Sequence, residues 1–214
     1  MSTRLTRAVL CSGAATAALT LAVGTASAAP VVLSEGHVDV IDISYEDGEL
    51  GLGLHDETTG AGVERDPADV TLWVKPEAEL AVPSNPAYSF LGSPGDPVWI
   101  LPQSLDPDLL YAGWAAHEVP AGVFEDDTVT VELTSVSGPG DVSSWDIVAA
   151  QPVLNFDSGD GLPDAFDVSA GGHHHTNWGF EAEGDYTLTF EASAELPDGT
   201  VVTSDPTAYH FTVG

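Results

Sequence analysis

The chain has 214 residues, with 34 acidic side chains against four Lys and Arg, and a formal charge of −30. A surface this acidic repels nucleic acid and anionic lipid and attracts cations. Apolar residues make up 43% of the chain, which excludes a disordered acidic tail and allows a buried core in one domain.

Residues 1–28 read as a secretory signal. Arg4 and Arg7 supply the positive start, Val9 to Gly24 is apolar or small, and Ala26-Ser27-Ala28 offers the small residues of a cleavage site. The apolar part is too short and too diluted by Gly, Ser and Thr for a retained membrane helix. Cys11 is the only cysteine and lies inside this segment, so no disulfide or thiolate metal site is expected in the mature chain. "RAVLC" lacks the leucine of a lipobox, and no sorting motif stands at the C-terminus. The expected product is secreted, spans no membrane and carries 2 − 34 = −32 charges, with Arg65 and Lys75 as its strong cations.

From residue 30 to 214 the pattern is β almost throughout, and no linker or repeat divides it. "HVDVIDISYEDGELGLGLHDE" alternates on both sides of Asp47-Gly48, which predicts a two-residue hairpin loop with Glu46 opposite Glu49. In that register Ile41, Ile43 and Tyr45 share a core face with Leu50, Leu52 and Leu54. The same face carries His37, Asp39 and Asp56 to the end of the apolar stripe, while His55 pairs with Val40 on the opposite face. This reading promotes His37 and Asp39 as a site pair and sets His55 aside.

Further strands are predicted at Val70–Lys75, Val98–Leu101, Thr128–Val136, Val142–Ala149, Val153–Phe156, His174–Glu181, Tyr186–Leu196 and Tyr209–Val213, separated by Gly, Pro and Asp turns. Pro76 to Gly122 is an irregular, Pro/Gly-rich middle section in which "AGWAAHEVPAG" reads as a short helix or turn. Short strands with frequent turns predict an all-β fold, an antiparallel Ig-like β-sandwich. Trp99, Trp114 and Trp145 fit its core, and His117 and His210 read as solitary residues.

Two later stretches carry candidate chemistry. "FDSGDGLPD" spaces Asp157, Asp160 and Asp164 like a calcium loop, but without the D-x-D-x-D-G rhythm; a structured turn is the simpler reading, with Ca2+ as the alternative. "AGGHHHTNWGF" (Ala170 to Phe180) holds three of the seven histidines. On a strand, His173, His175 and Asn177 face one way, and His174, Thr176, Trp178 and Phe180 the other. Trp178 and Phe180 then join the core in phase with Tyr186, Leu188 and Phe190. His173 and His175 form an H-x-H pair, a spacing suited to zinc or copper ligation; an exposed polar edge strand is the competing reading. His174 is left as a bystander. No G-x-S-x-G, H-E-x-x-H or phosphate loop is present, so no enzyme is expected.

Five stretches in order, "GHVDVIDISYEDGELGLGLHDE", "PAYSFLGSPGDPVWILPQ", "DPDLLYAGWAAHEVPAGVF", "FDSGDGLPD" and "GGHHHTNWGF…GDYTLTFEASAELPDGTVVTS", resemble the actinobacterial surface-anchored protein domain, also called the choice-of-anchor M domain. The resemblance implies an extracellular β-rich binding module that accompanies metal-uptake ABC transporters and their substrate-binding proteins. It maps the family's H-x-H-x-N-W onto His173, His175, Asn177 and Trp178, and its opening H-x-D onto His37 and Asp39. Many members carry a wall or membrane anchor; this sequence shows none, so a freely secreted or partner-held form is expected.

The sequence thus yields a specific expectation. His173 and His175 bind a transition metal, zinc first, with His37 and Asp39 completing the site and Asn177 and Trp178 supporting it. The partner is a transporter's substrate-binding protein or a cell-wall component. The alternative is an adhesion or cell-wall module with no metal role.

Overall fold

The structure is a computed structural model that describes residues 29–214; the proposed signal and Cys11 lie outside the described residues. β1 (Val31–Leu33) precedes a hairpin of β2 (Gly36–Glu46) and β3 (Glu49–Asp56), then the short β4 (Val63–Arg65). The middle of the chain supplies β5 (Val70–Val74), β6 (Glu79–Ala81), β7 (Pro97–Leu101) and β8 (Leu110–Glu118). Next come β9 (Thr128–Ser137), β10 (Val142–Val148), β11 (Gln151–Asp157) and β12 (Asp164–Ser169). The histidine triplet is β13 (His173–His175), followed by β14 (Asn177–Phe180), β15 (Gly184–Glu195), β16 (Val201–Thr203) and β17 (Thr207–Val213).

These strands form three sheets. One runs β1-β5-β17-β15-β9-β12, with β16 added to β15; the second runs β11-β10-β14-β7-β6; the third runs β13-β8-β2-β3-β4. The expected all-β sandwich is present, but it is not purely antiparallel: β1 and β17 each pair with β5, and β2 with β8, in parallel. Strict alternation in β15 buries Tyr186, Leu188, Phe190, Ala192 and Ala194 on one face. They meet Ile41, Ile43 and Leu54 of the third sheet and Phe156, Trp178 and Phe180 of the second in one continuous core. Trp178 is wholly buried, with its ring 5.4 Å from Phe156 and 5.8 Å from Phe211.

Three expectations are corrected. "AGWAAHEVPAG" is not a helix: Ala112–Glu118 belong to β8, a strand held between β2 and β13, and only Ala121 and Gly122 at its end form a turn. The strand is buried on both faces and therefore shows no alternation. His174–Glu181 is not one strand. β13 belongs to the third sheet and β14 to the second, and Thr176 marks the crossing between them.

The third correction concerns the first hairpin. Asp47-Gly48 forms the turn, with φ of 52° and 90°, and pairs run in the predicted register from Glu46–Glu49 to Asp42–Gly53. Beyond that, Asp39 pairs with His55 and Val38 with Asp56, so the register slips by one residue. The extra residue lies at Val40–Ile41, and both side chains are wholly buried. This bulge reverses the phase of β2. His37, Asp39 and Asp42 fall on one face, opposite the apolar stripe, and His55 joins them there.

Candidate metal centre

The third sheet brings its outer face to a mouth lined by His37, Asp39, Asp42, His55, Glu57 and His173, with a cavity of about 200 Å³. β8 lies between β2 and β13, so two strands remote in sequence present side chains over a shared neighbour. Gly113 makes the close approach of β13 possible. A Cβ there would lie 2.3 Å from the His174 carbonyl oxygen and 2.8 Å from His175 Nδ1. The His175 ring stacks on Tyr111 at 3.5 Å between centroids and 10° between planes, which fixes its direction.

Four donors converge. His37 Nε2 lies 2.9 Å from His175 Nε2 and 3.2 Å from His173 Nε2. Asp39 Oδ1 lies 2.8 Å from His173 Nε2 and 3.7 Å from His37 Nε2. One ligand atom from each of His37, Asp39, His173 and His175 fits within 4.8 Å of all the others. A tetrahedral zinc ion with bonds of ~2.0–2.1 Å has donor–donor edges of about 3.3–3.4 Å, and the distances here straddle that value.

The surroundings prepare these groups for a cation. The carboxylate of Glu57 can only accept, so at 2.7 Å it fixes the proton on His37 Nδ1 and leaves the Nε2 lone pair facing the other donors. That hydrogen bond with His37 in turn holds the Glu57 carboxyl below its usual range. Burial, and then the nearby His37 and His173, lower the His175 imidazole to about 4, so it is neutral at physiological pH. Its Nδ1 is buried without a well-formed hydrogen bond, although the Ala112 backbone lies near enough to act on its charge. Asp39 is 3% exposed, and its nearest partners are the His37 and His173 imidazoles.

His174 points away from this group, bonding to Asp146 at 2.8 Å and packing near Trp114. Asn177 does not face the donors as the single-strand reading expects. It donates to the Trp145 carbonyl and to Gln103 Oε1, and accepts from Gln103 N at 3.0 Å. Thr176, also buried, donates to the Trp145 carbonyl at 2.8 Å. Together they lock the crossing from β13 to β14, so Asn177 and Trp178 support the triplet through the backbone.

The remaining expectations divide. Asp56 does not join His37 and Asp39. It is buried with Val38 on the far side, bound to Arg65 at 2.7 Å and to Thr58 N; burial opposes ionisation there, but these partners hold its carboxyl below the usual range. Asp157 and Asp164 cap their own turn: Asp164 accepts from Asp157 N and Asp157 from Gly159 N. With Asp160 they form no close-set group of ligand atoms among the described residues. His117, which reads as solitary in sequence, borders the mouth with its ring 5.3 Å from His173.

His55 is the residue that sequence reasoning missed. It forms a second group of close-set donors with Asp42 and Glu64. Burial, then the facing Glu64, raises the Asp42 carboxyl to about 7. Burial opposes protonation of His55, but the hydrogen bond and charge of Glu64 raise its imidazole above the ordinary range.

The fold and site define an all-β sandwich with a three-histidine, one-aspartate cluster on an outer sheet face. No family model, curated protein or solved structure matches the chain. No helix among the described residues is long and apolar enough to cross a membrane.

Proposed function

We propose that the protein is a secreted, non-catalytic binding protein that captures a transition metal, zinc first, as cargo. The observation that carries this reading is the convergence of His37, Asp39, His173 and His175 within 4.8 Å from strands of one sheet. Four protein donors leave no open position for an activated water, the pattern of a holding site. His37 and His173 keep 23% and 34% of their side chains exposed, so the cation can enter and leave. The acidic surface concentrates cations around that mouth.

The resemblance to the actinobacterial surface-anchored domain supports a place for this capture. The chain would hand its metal to the substrate-binding protein of an ABC transporter at the cell surface. Isothermal titration of the mature chain with zinc, copper and manganese tests the reading. Zinc should bind to the wild type, and His173→Ala with His175→Ala should abolish binding at this site; undiminished binding by that variant would sink the assignment.

A second reading, an adhesion or cell-wall module, draws on the β10–β11 hairpin, where Ile147, Val148, Val153 and Leu154 are 41–56% exposed. It expects the double histidine variant to retain full attachment to cell walls.

A further inference from the structure

We propose that Asp42, His55 and Glu64 form a second divalent-cation site in the same mouth, joined to the first through the carboxylate of Glu57. The argument begins with register. Because of the bulge at Val40–Ile41, Asp42 emerges on the face that carries Asp39, and Asp39 pairs with His55. His55 pairs in turn with Glu64 of β4. Three neighbouring strands thus contribute one donor each, and the three ligand atoms lie within 4.8 Å of one another.

Glycines clear the space around them. Gly53 stands opposite Asp42 and puts no side chain over it. A Cβ on Gly62 would lie 2.6 Å from His55 Nε2, so glycine there allows the ring to rest against the chain.

Asp42 is the independent sign of a ligand. It is 6% exposed and lines the cavity, yet the groups acting on it are chiefly other carboxyls, Glu64 and Glu118. No Lys, Arg or His nitrogen makes an ion pair with it among the described residues. Asp56, buried on the other face of the hairpin, has Arg65. Without a cation, Asp42 and Glu64 answer each other only by sharing a proton; a bound cation replaces that proton and lets both carboxylates ionise.

Glu57 links the two groups. Its Oε2 holds His37 at 2.7 Å, and its Oε1 lies 3.5 Å from His55 Nε2. One imidazole with two carboxylates is a harder donor set than three imidazoles with one, so this second site discriminates less strongly against manganese than the first. Two adjoining sites of different hardness give a cation a neighbouring place to move to as it leaves the first.

Zinc titration of the full mature chain, read as stoichiometry, tests the proposal. The wild type should bind about two ions, and Asp42→Asn with Glu64→Gln about one. His173→Ala with His175→Ala should leave about one, held at the second site. His55→Gln, a milder change at a partly exposed ring, should weaken that second ion at least about tenfold and keeps the test open if the carboxamide variant does not fold. A wild type that binds a single ion, untouched by the carboxamide pair, overturns the proposal. So does a single ion lost in both double variants, which would mean one composite site. A single ion lost only with the carboxamide pair upholds this site and removes the three-histidine one.

Discussion

His37 and His175, 138 positions apart in the chain, face each other with their Nε2 atoms 2.9 Å apart. His37 is committed by Glu57 to holding its proton on Nδ1, and His175 is driven to neutrality by burial. With His37 Nε2 as acceptor, a neutral His175 can hold the contact only by placing its single proton on Nε2; a cation that takes the place of that proton engages both nitrogens at once. Zinc should therefore stabilise the fold. At a free concentration about 100-fold above Kd the gain is about 2.7 kcal/mol, which raises Tm by roughly 5–11 °C for a chain of this size. Calorimetry with and without zinc reads it, and no shift in the wild type would contradict the reading.

The metal-free protein should lose stability in acid partly through His175. Its folded value of about 4 lies below the ordinary imidazole value of 6.5, so the unfolded chain binds more protons between those two pH values. Stability is then present above about 6.5 and drains away as pH falls toward about 4. Urea unfolding in EDTA should show a smaller loss over this window for His175→Phe than for the wild type.

Asp42 has the opposite sign. Its folded value, about 7, lies above the ordinary aspartate value of 3.8, so the folded state binds more protons between them. Its favourable contribution is full below about 3.8 and is lost as pH rises through about 7. Asp42→Asn mimics the protonated form. It should raise the urea midpoint of the metal-free protein at pH ~8 and leave it nearly unchanged at pH ~4. An equal effect at both would show that charge is not the cause.

Much of this was legible in the sequence, for unequal reasons. Asp47-Gly48 announced its turn because only a few residue types accept positive φ there. Trp178 and Phe180 declared themselves core by phase with Tyr186 and Phe190. His37 and Asp39 were reached by reasoning that put them on the wrong face. A bulge at two apolar residues leaves no mark in a hydrophobic pattern, and the same slip hid His55. β8 was missed because a strand buried on both faces and packed close to its neighbour is written in Ala and Gly, and small residues carry no period.

Gly113→Ala tests that close packing. The added methyl would meet the His174 carbonyl oxygen at 2.3 Å, so β13 must move away from β8. A loss of about 1–3 kcal/mol in stability is expected, with weakened zinc binding although no donor is changed.

Asn177→Ala separates support from ligation. It strips partners from Gln103 and the Trp145 carbonyl, at a cost of about 1–3 kcal/mol. Zinc stoichiometry should hold while affinity falls roughly tenfold or more; a lost equivalent would make Asn177 a ligand.

The long span between the donors has a further consequence. His37 and His173 are 136 positions apart, and they meet only after β8 has been laid between their strands. No shorter piece of chain can assemble the four donors. Because the donor sheet shares one core with β15 and β17, cation affinity also reports on that core, and damage far from the mouth, in β15 or β17, would register as metal released.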